Sequence, residues 1–203
     1  MNGVVSQSMR EKGLDYKVNF GIELPRLKEI ASKFEKNHDV AQALWKENIR
    51  ECKIVAGLLQ PVDTFYPDIA DIWVEDMRYP EIAELTVMNL FQHLPYASEK
   101  AFEWIAREEP YFQSCGYMLV ARLLMKYGEL NERAENELLD QVVPALSGES
   151  GFVFRAASTA LRKYASQSKE NARKVRGVLI SLPSSERPEV LSLLEETKIL
   201  IES

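Results

Sequence analysis

Apolar residues recur along the chain at helical spacing. Leu24, Leu27, Ile30, Ala31 and Phe34 form one stripe, and Ile69, Ile72, Trp73 and Met77 form another. Strand signals are nearly absent: no Asn-Gly or Asp-Gly turn joins two alternating runs, and β-branched alternation is rare. The prolines fall mostly between the stripes, where they read as helix starts or junctions, because proline fits a first turn and breaks a helix interior. Pro67 and Pro144 fit either a first turn or a kink. The pattern predicts helices over 25–36, 39–47, 49–59, 64–77, 80–93, 97–107, 111–127, 131–147, 151–166, 169–181 and 186–201, with room for another before Phe20. Asp39, Ser98, Asn131 and Ser168 are N-cap candidates, and Gly128 is placed to end a helix in the left-handed conformation.

The helices pair as 49–59 with 64–77, 80–93 with 97–107, 111–127 with 131–147, and 151–166 with 169–181. A loose internal repeat accompanies the pairing. Cys52, Ala83, Cys115 and Ala156 occupy matching places, each followed four residues later by Ala56, Val87, Leu119 or Ala160; the units are 31, 32 and 41 residues apart. Small residues there let helices approach closely. The expected architecture is therefore all-α: a HEAT-like superhelix, or solenoid, of about five to six antiparallel helix pairs. Each pair buries its apolar face only against its neighbours. With no long linker or low-complexity stretch, residues 1–203 read as a single domain.

Composition adds limits. Apolar residues at 46% and charged residues at 28% are ordinary for a soluble globular chain. Residues 1–17 lack the apolar core of a secretory signal, and the apolar run near Cys115–Met125 is interrupted by Arg122 and too short to span a bilayer. The expectation is a cytoplasmic protein without a membrane. Cys52 and Cys115 are far apart, no CxxC occurs, and His38 and His93 lack partners at ligand spacing, so no metal is expected and both cysteines read as buried small apolar residues. No phosphate-cradling glycine loop, GxSxG, HExxH or EF-hand loop is present, and no cofactor is expected.

The net charge of −6 argues against whole-surface attraction to nucleic acid, but charge is unevenly spread. Asp63 to Glu84 holds seven acids against the single base Arg78; Arg155 to Arg176 holds seven bases against Glu170. Arg155 and Arg162, seven residues apart, share a helix face with room for Lys163 beside them, a set able to neutralise phosphates. Arg50 and Lys53, one turn apart, extend a basic track that Glu47 and Glu51 dilute. The bland reading of these charges is a solvated face paired with acids elsewhere. Trp45, Trp73 and Trp104 lie on apolar stripes and read as core.

Asn19-Phe20-Gly21-Ile22-Glu23-Leu24-Pro25 through Ala31 resembles the opening segment of the bacterial DNA alkylation repair family, the HEAT-like alkylpurine DNA glycosylases. Ala43-Leu44-Trp45 with Ile49–Ala56, then Trp73–Met77, then Phe154–Ala157 with Ala160–Tyr164 are similar to successive later segments, so the resemblance covers Phe20 to Ala165. It implies hydrolysis of the N-glycosidic bond of cationic alkylated purines. An acid and aromatic rings would stabilise positive charge on the sugar, and basic residues would hold phosphates.

The sequence departs from that pattern at the chemistry. The family's Trp-Asp-x-x-Asp segment falls on Pro80-Glu81-Ile82-Ala83-Glu84, which leaves Glu84 as the candidate catalytic acid and Tyr79 as the nearest aromatic substitute. The expected arginine meets Gln113-Ser114, and a later tryptophan meets Ser158-Thr159. Three functions remain as expectations. The first is a repair-family HEAT protein that binds DNA through its backbone with base excision lost or altered. The second is a non-catalytic scaffold holding a protein partner, and the third is a divergent glycosylase working through Glu84.

Overall fold

The computed structural model describes residues 3–11, 13, 16, 18–183 and 186–202. Among them the regular structure is helical: α1 (Gly3–Glu11), α2 (Leu24–Ala31), α3 (His38–Lys46), α4 (Arg50–Leu59), α5 (Pro67–Glu75), α6 (Pro80–Asn89), α7 (Ala97–Ile105), α8 (Pro110–Tyr127), α9 (Glu132–Ser147), α10 (Gly151–Ala165), α11 (Lys169–Ser181) and α12 (Pro188–Glu202). The β pairing among the described residues is one parallel bridge, Val18 to Ile49.

Helix boundaries follow the chain's punctuation. Proline opens α5, α6, α8 and α12, so Pro67 is a first-turn residue, whereas Pro144 lies inside α9 and the helix runs on to Ser147. Asn131 and Ser168 cap as expected, each side-chain oxygen accepting from the backbone N–H three residues on. Gly128 ends α8 at φ +83°, where a Cβ would be strained. Two expectations shift: Asn37 rather than Asp39 caps α3, and Ser98 sits inside the first turn of α7, which has no side-chain cap. The expected 80–93 helix ends at Asn89 and continues as a 3-10 turn, Phe91–His93.

The chain forms two compact units, Met1–Pro95 and Tyr96–Ser203. In the first, α4 packs against α2, α3 and α6. Its centre is aromatic: Trp45 and Trp73 stack at 3.9 Å and 4°, and Phe65 meets Trp73 edge-on at 4.8 Å. In the second, α8 lies against α7 and α10, and α10 also touches α9, α11 and α12. The tryptophans are core as expected, at 3% exposure or less. Cys115 is buried but Cys52 only half so.

The expected pairing of 151–166 with 169–181 is present as α10 against α11, whereas the register of the earlier pairs differs from the sequence reading. α4 packs on α3 before it, and α8 on α7 before it, because specific contacts hold those joints shut. The Asn37 N–H donates to the Leu59 carbonyl at 2.9 Å, tying the start of α3 to the end of α4. At Gly116 a Cβ would lie 2.7 Å from the Ala101 oxygen and the Ile105 nitrogen, so only glycine lets α8 sit this close to α7. The internal repeat falls on α4, α6, α8 and α10, whose contacts include α4 with α6 and α8 with α10. Ala56, Ala83, Val87, Cys115, Leu119 and Ala160 on this row are all essentially inaccessible.

Candidate nucleic-acid interface

The basic residues separate into two kinds. Arg50 opens α4 and is 3% exposed. Its Nε and Nη2 donate to Glu81 at 2.8 and 2.6 Å, and its Nη1 donates to the Ile22 carbonyl at 2.9 Å. Glu51 accepts from the backbone N–H groups of Phe20 and Ile22 at 3.1 and 3.2 Å. Arg50 and Glu51 together clamp the opening segment, which turns at Gly21 with φ +66°. Burial opposes the charge on Arg50, but the hydrogen bonds and field of Glu81 outweigh it and hold the guanidinium above its ordinary pKa.

Lys53, 8% exposed, donates to the Trp45 carbonyl at 2.7 Å and to Asp76 at 2.6 Å, with its ammonium 4.5 Å from the Trp45 ring. The expectation that Arg50 and Lys53 extend a phosphate-binding track is therefore corrected: both cations are buried in ion pairs and face the interior of the first unit. Their partners Asp76 and Glu81 come from the acid run, so part of that run is neutralised by cations from α4.

Tyr79, the residue before α6, packs its ring 4.2 Å from buried Tyr16, as a helix-junction anchor would. Glu84 lies on the outer side of α6, exposed, and its carboxylate makes no hydrogen bond or ion pair among the described residues.

α10 and α11 of the second unit present cations outward, whereas Lys100 of α7 is buried and paired with Glu103 at 2.9 Å. Arg155, Lys163, Lys169 and Arg173 are exposed, and their side chains make no hydrogen bond or ion pair among the described residues. Arg162 is exposed and held by Glu196 of α12 through two bonds of 2.7 and 3.0 Å, which keeps the Glu196 carboxyl below its usual range. Lys174 pairs with Glu135 at 2.6 Å, and Arg176 donates to the Leu194 carbonyl at 2.8 Å. Of the predicted set, Arg155 and Arg162 line one cavity of about 720 Å³ between α10 and α12, while Lys163 lies outside it on the next face of α10.

A third arginine joins them there. Arg187, just ahead of α12, lines the same cavity. Its guanidinium sits 5.0 Å from the Phe154 ring and donates to the Leu146 and Gly148 carbonyls at 3.3 Å. No local signal marks Arg187 as functional, since its role depends on α12 folding back onto α10. The cavity lining includes Ser158 and Thr159, the pair where the resemblance places a tryptophan; Ser158 is 2% exposed, with a hydroxyl that has no hydrogen-bond partner among the described residues. Among the described residues no group of His, Cys, Asp or Glu side chains is gathered to hold a metal ion, and no helix is long and apolar enough to cross a membrane.

Comparison with curated proteins gives no match. Among solved structures, the chain is similar to one described as belonging to a new family of proteins related to the HEAT-like repeat DNA glycosylases with affinity for branched DNA structures. The two share a TM-score of 0.76 at 16% identity, over 86% of this chain and 75% of that one, which establishes the HEAT-like repeat fold. A family model described as DNA alkylation repair enzyme matches residues 5–176. The segments from Phe20 to Ala165 that suggested this ancestry lie within that match, and the chain belongs to the DNA alkylation repair enzyme family.

Proposed function

We propose that this protein binds DNA through the sugar–phosphate backbone at the α10 face, with the family's base excision lost or altered. The observation that carries the reading is the exposure of Arg155, Arg162 and Lys163 on α10, two of them opening into the cavity against α12. Exposed guanidinium and ammonium groups neutralise phosphates and release counterions, so affinity falls steeply with salt. The solved structure described as having affinity for branched DNA supports testing junctions alongside plain duplex.

The loss of excision is supported by the replaced chemistry. Stabilising an oxocarbenium-like centre needs a carboxylate fixed beside it. Glu84 is solvated and unanchored, and the Tyr79 ring is engaged by Tyr16.

The test measures binding to duplex and four-way-junction DNA across a salt series, together with release of methylated purines from alkylated DNA. Salt-dependent binding that weakens when Arg155, Arg162 and Lys163 are changed together to alanine is expected, without base release. Absence of binding at low salt would remove the proposal, and base release abolished by Glu84→Gln would restore the glycosylase reading.

A further inference from the structure

We infer that the cavity between α10 and α12 is a subsite for one unpaired nucleotide of a DNA strand, a reading that rests on the proposed DNA binding and deepens it. Three features point to a nucleotide rather than a bare phosphate. The volume, about 720 Å³, falls in the range that houses whole organic ligands. Cations line it from two elements: Arg155 and Arg162 lie on the α10 wall, seven residues apart on one helix face, and Arg187 lies just ahead of α12. Finally, Arg187 is held in place by Phe154 and by two backbone carbonyls, so its guanidinium is a fixed plane. Bases drawn out of a duplex stack on aromatic rings and on arginine planes of this kind.

The division of labour follows from those positions. Arg155, whose side chain has no partner among the described residues, and Arg162 take the phosphate; Arg187 takes the base face. Ser192 and the buried Ser158 hydroxyl supply polar groups on the two walls. Two carboxylates oppose this arrangement. Glu189 also lines the cavity, and Glu196 occupies Arg162 through the 2.7 and 3.0 Å bonds, with Ser192 donating to Glu196 at 3.4 Å. The Arg162–Glu196 pair is about half exposed on both sides. Such pairs are weak, so a phosphate can displace the carboxylate. Glu196 then acts as a built-in competitor for the site.

The experiment uses the full chain with two labelled probes, a short single-stranded oligothymidylate and a blunt duplex, and thymidine 5′-monophosphate against inorganic phosphate as competitors. Arg187→Ala is expected to weaken single-strand binding about tenfold, the loss of one stacked base, with duplex binding nearly unchanged. Glu196→Gln is expected to strengthen single-strand binding about two- to threefold by freeing Arg162. The monophosphate should displace the single strand at concentrations where inorganic phosphate does not.

Arg187 also satisfies backbone carbonyls, so its variant is checked by thermal unfolding, and if it does not fold, Glu196→Gln and the competition decide alone. Equal weakening of both probes by Arg187→Ala, or no gain from Glu196→Gln, overturns the subsite. Duplex binding without single-strand binding also overturns it while leaving the proposed function standing; failure to bind either probe at low salt overturns both.

Discussion

The cations of α4 and those of α10 and α11 are treated in opposite ways. In the first, Arg50 and Lys53 are buried, each answered by a carboxylate from 31 or 23 residues further along the chain. In the second, Arg155, Lys163, Lys169 and Arg173 stand in solvent unanswered among the described residues, and Arg162 is answered only at the surface. A buried cation serves architecture, because removing it strands its partner in a poor solvent. An exposed one costs little to remove and is available to an outside anion. The same residue type at similar helical positions thus does different jobs, and burial decides which.

The sharpest way to break this comparison is Arg50→Ala. It leaves Glu81 and the Ile22 carbonyl without their Arg50 donor and removes the cation beside buried Glu51, and a loss of about 3 kcal/mol in denaturant unfolding is expected. A change below about 1 kcal/mol would show that Arg50 is not architectural. Gly116→Ala comes next. Its new Cβ meets backbone atoms at 2.7 Å, which must move, and about 1–3 kcal/mol is expected from the same measurement.

The exposed set should behave the other way. Changing Arg155, Arg162 and Lys163 together to alanine is expected to alter stability by less than about 1 kcal/mol. The same variant should flatten the salt dependence of DNA binding by about 3 in log–log slope.

The smallest effect concerns the Glu135–Lys174 pair. Lys174 lowers the Glu135 pKa from its ordinary 4.5, so that contribution is present above pH 4.5 and lost as pH falls through the depressed folded value. Glu135 raises the Lys174 pKa from 10.5, so that contribution is present below pH 10.5 and lost as pH rises through the raised value. Glu135→Gln should therefore lower the melting temperature slightly between those limits. The gap to the parent protein should close in strong acid, and melting curves taken across pH check this.

Much of the architecture was legible because it rests on local signals. Proline starts, the Asn131 and Ser168 caps and the Gly128 stop need only nearby residues, and the small-residue repeat picked out the row of α4, α6, α8 and α10. The pairing register ahead of α10 was not legible, because it depends on contacts such as Asn37 with Leu59, distant in sequence. The candidate site was legible in half. Arg155, Arg162 and Lys163 read as exposed and are. Arg50 and Lys53 looked the same in sequence, since a charged residue at a helix start reads as surface until its distant acid is located. Arg187 gave no sign, being a loop residue whose neighbours are set by how α12 returns.

The spacing of the small-residue row has a consequence for how such a protein can vary. Its first two intervals are 31 and 32 residues and its last is 41. The excess lies in the bodies of α8 and α9, at 18 and 16 residues, against ten each in α4 and α6. Added residues lengthen a helix by about 1.5 Å each along its own axis. The distance between neighbouring helices is set instead by the small side chains where they meet. Depth and breadth are therefore separate dimensions of this design: a lineage can deepen one layer by whole turns while the α4–α6 and α8–α10 joints keep their gauge.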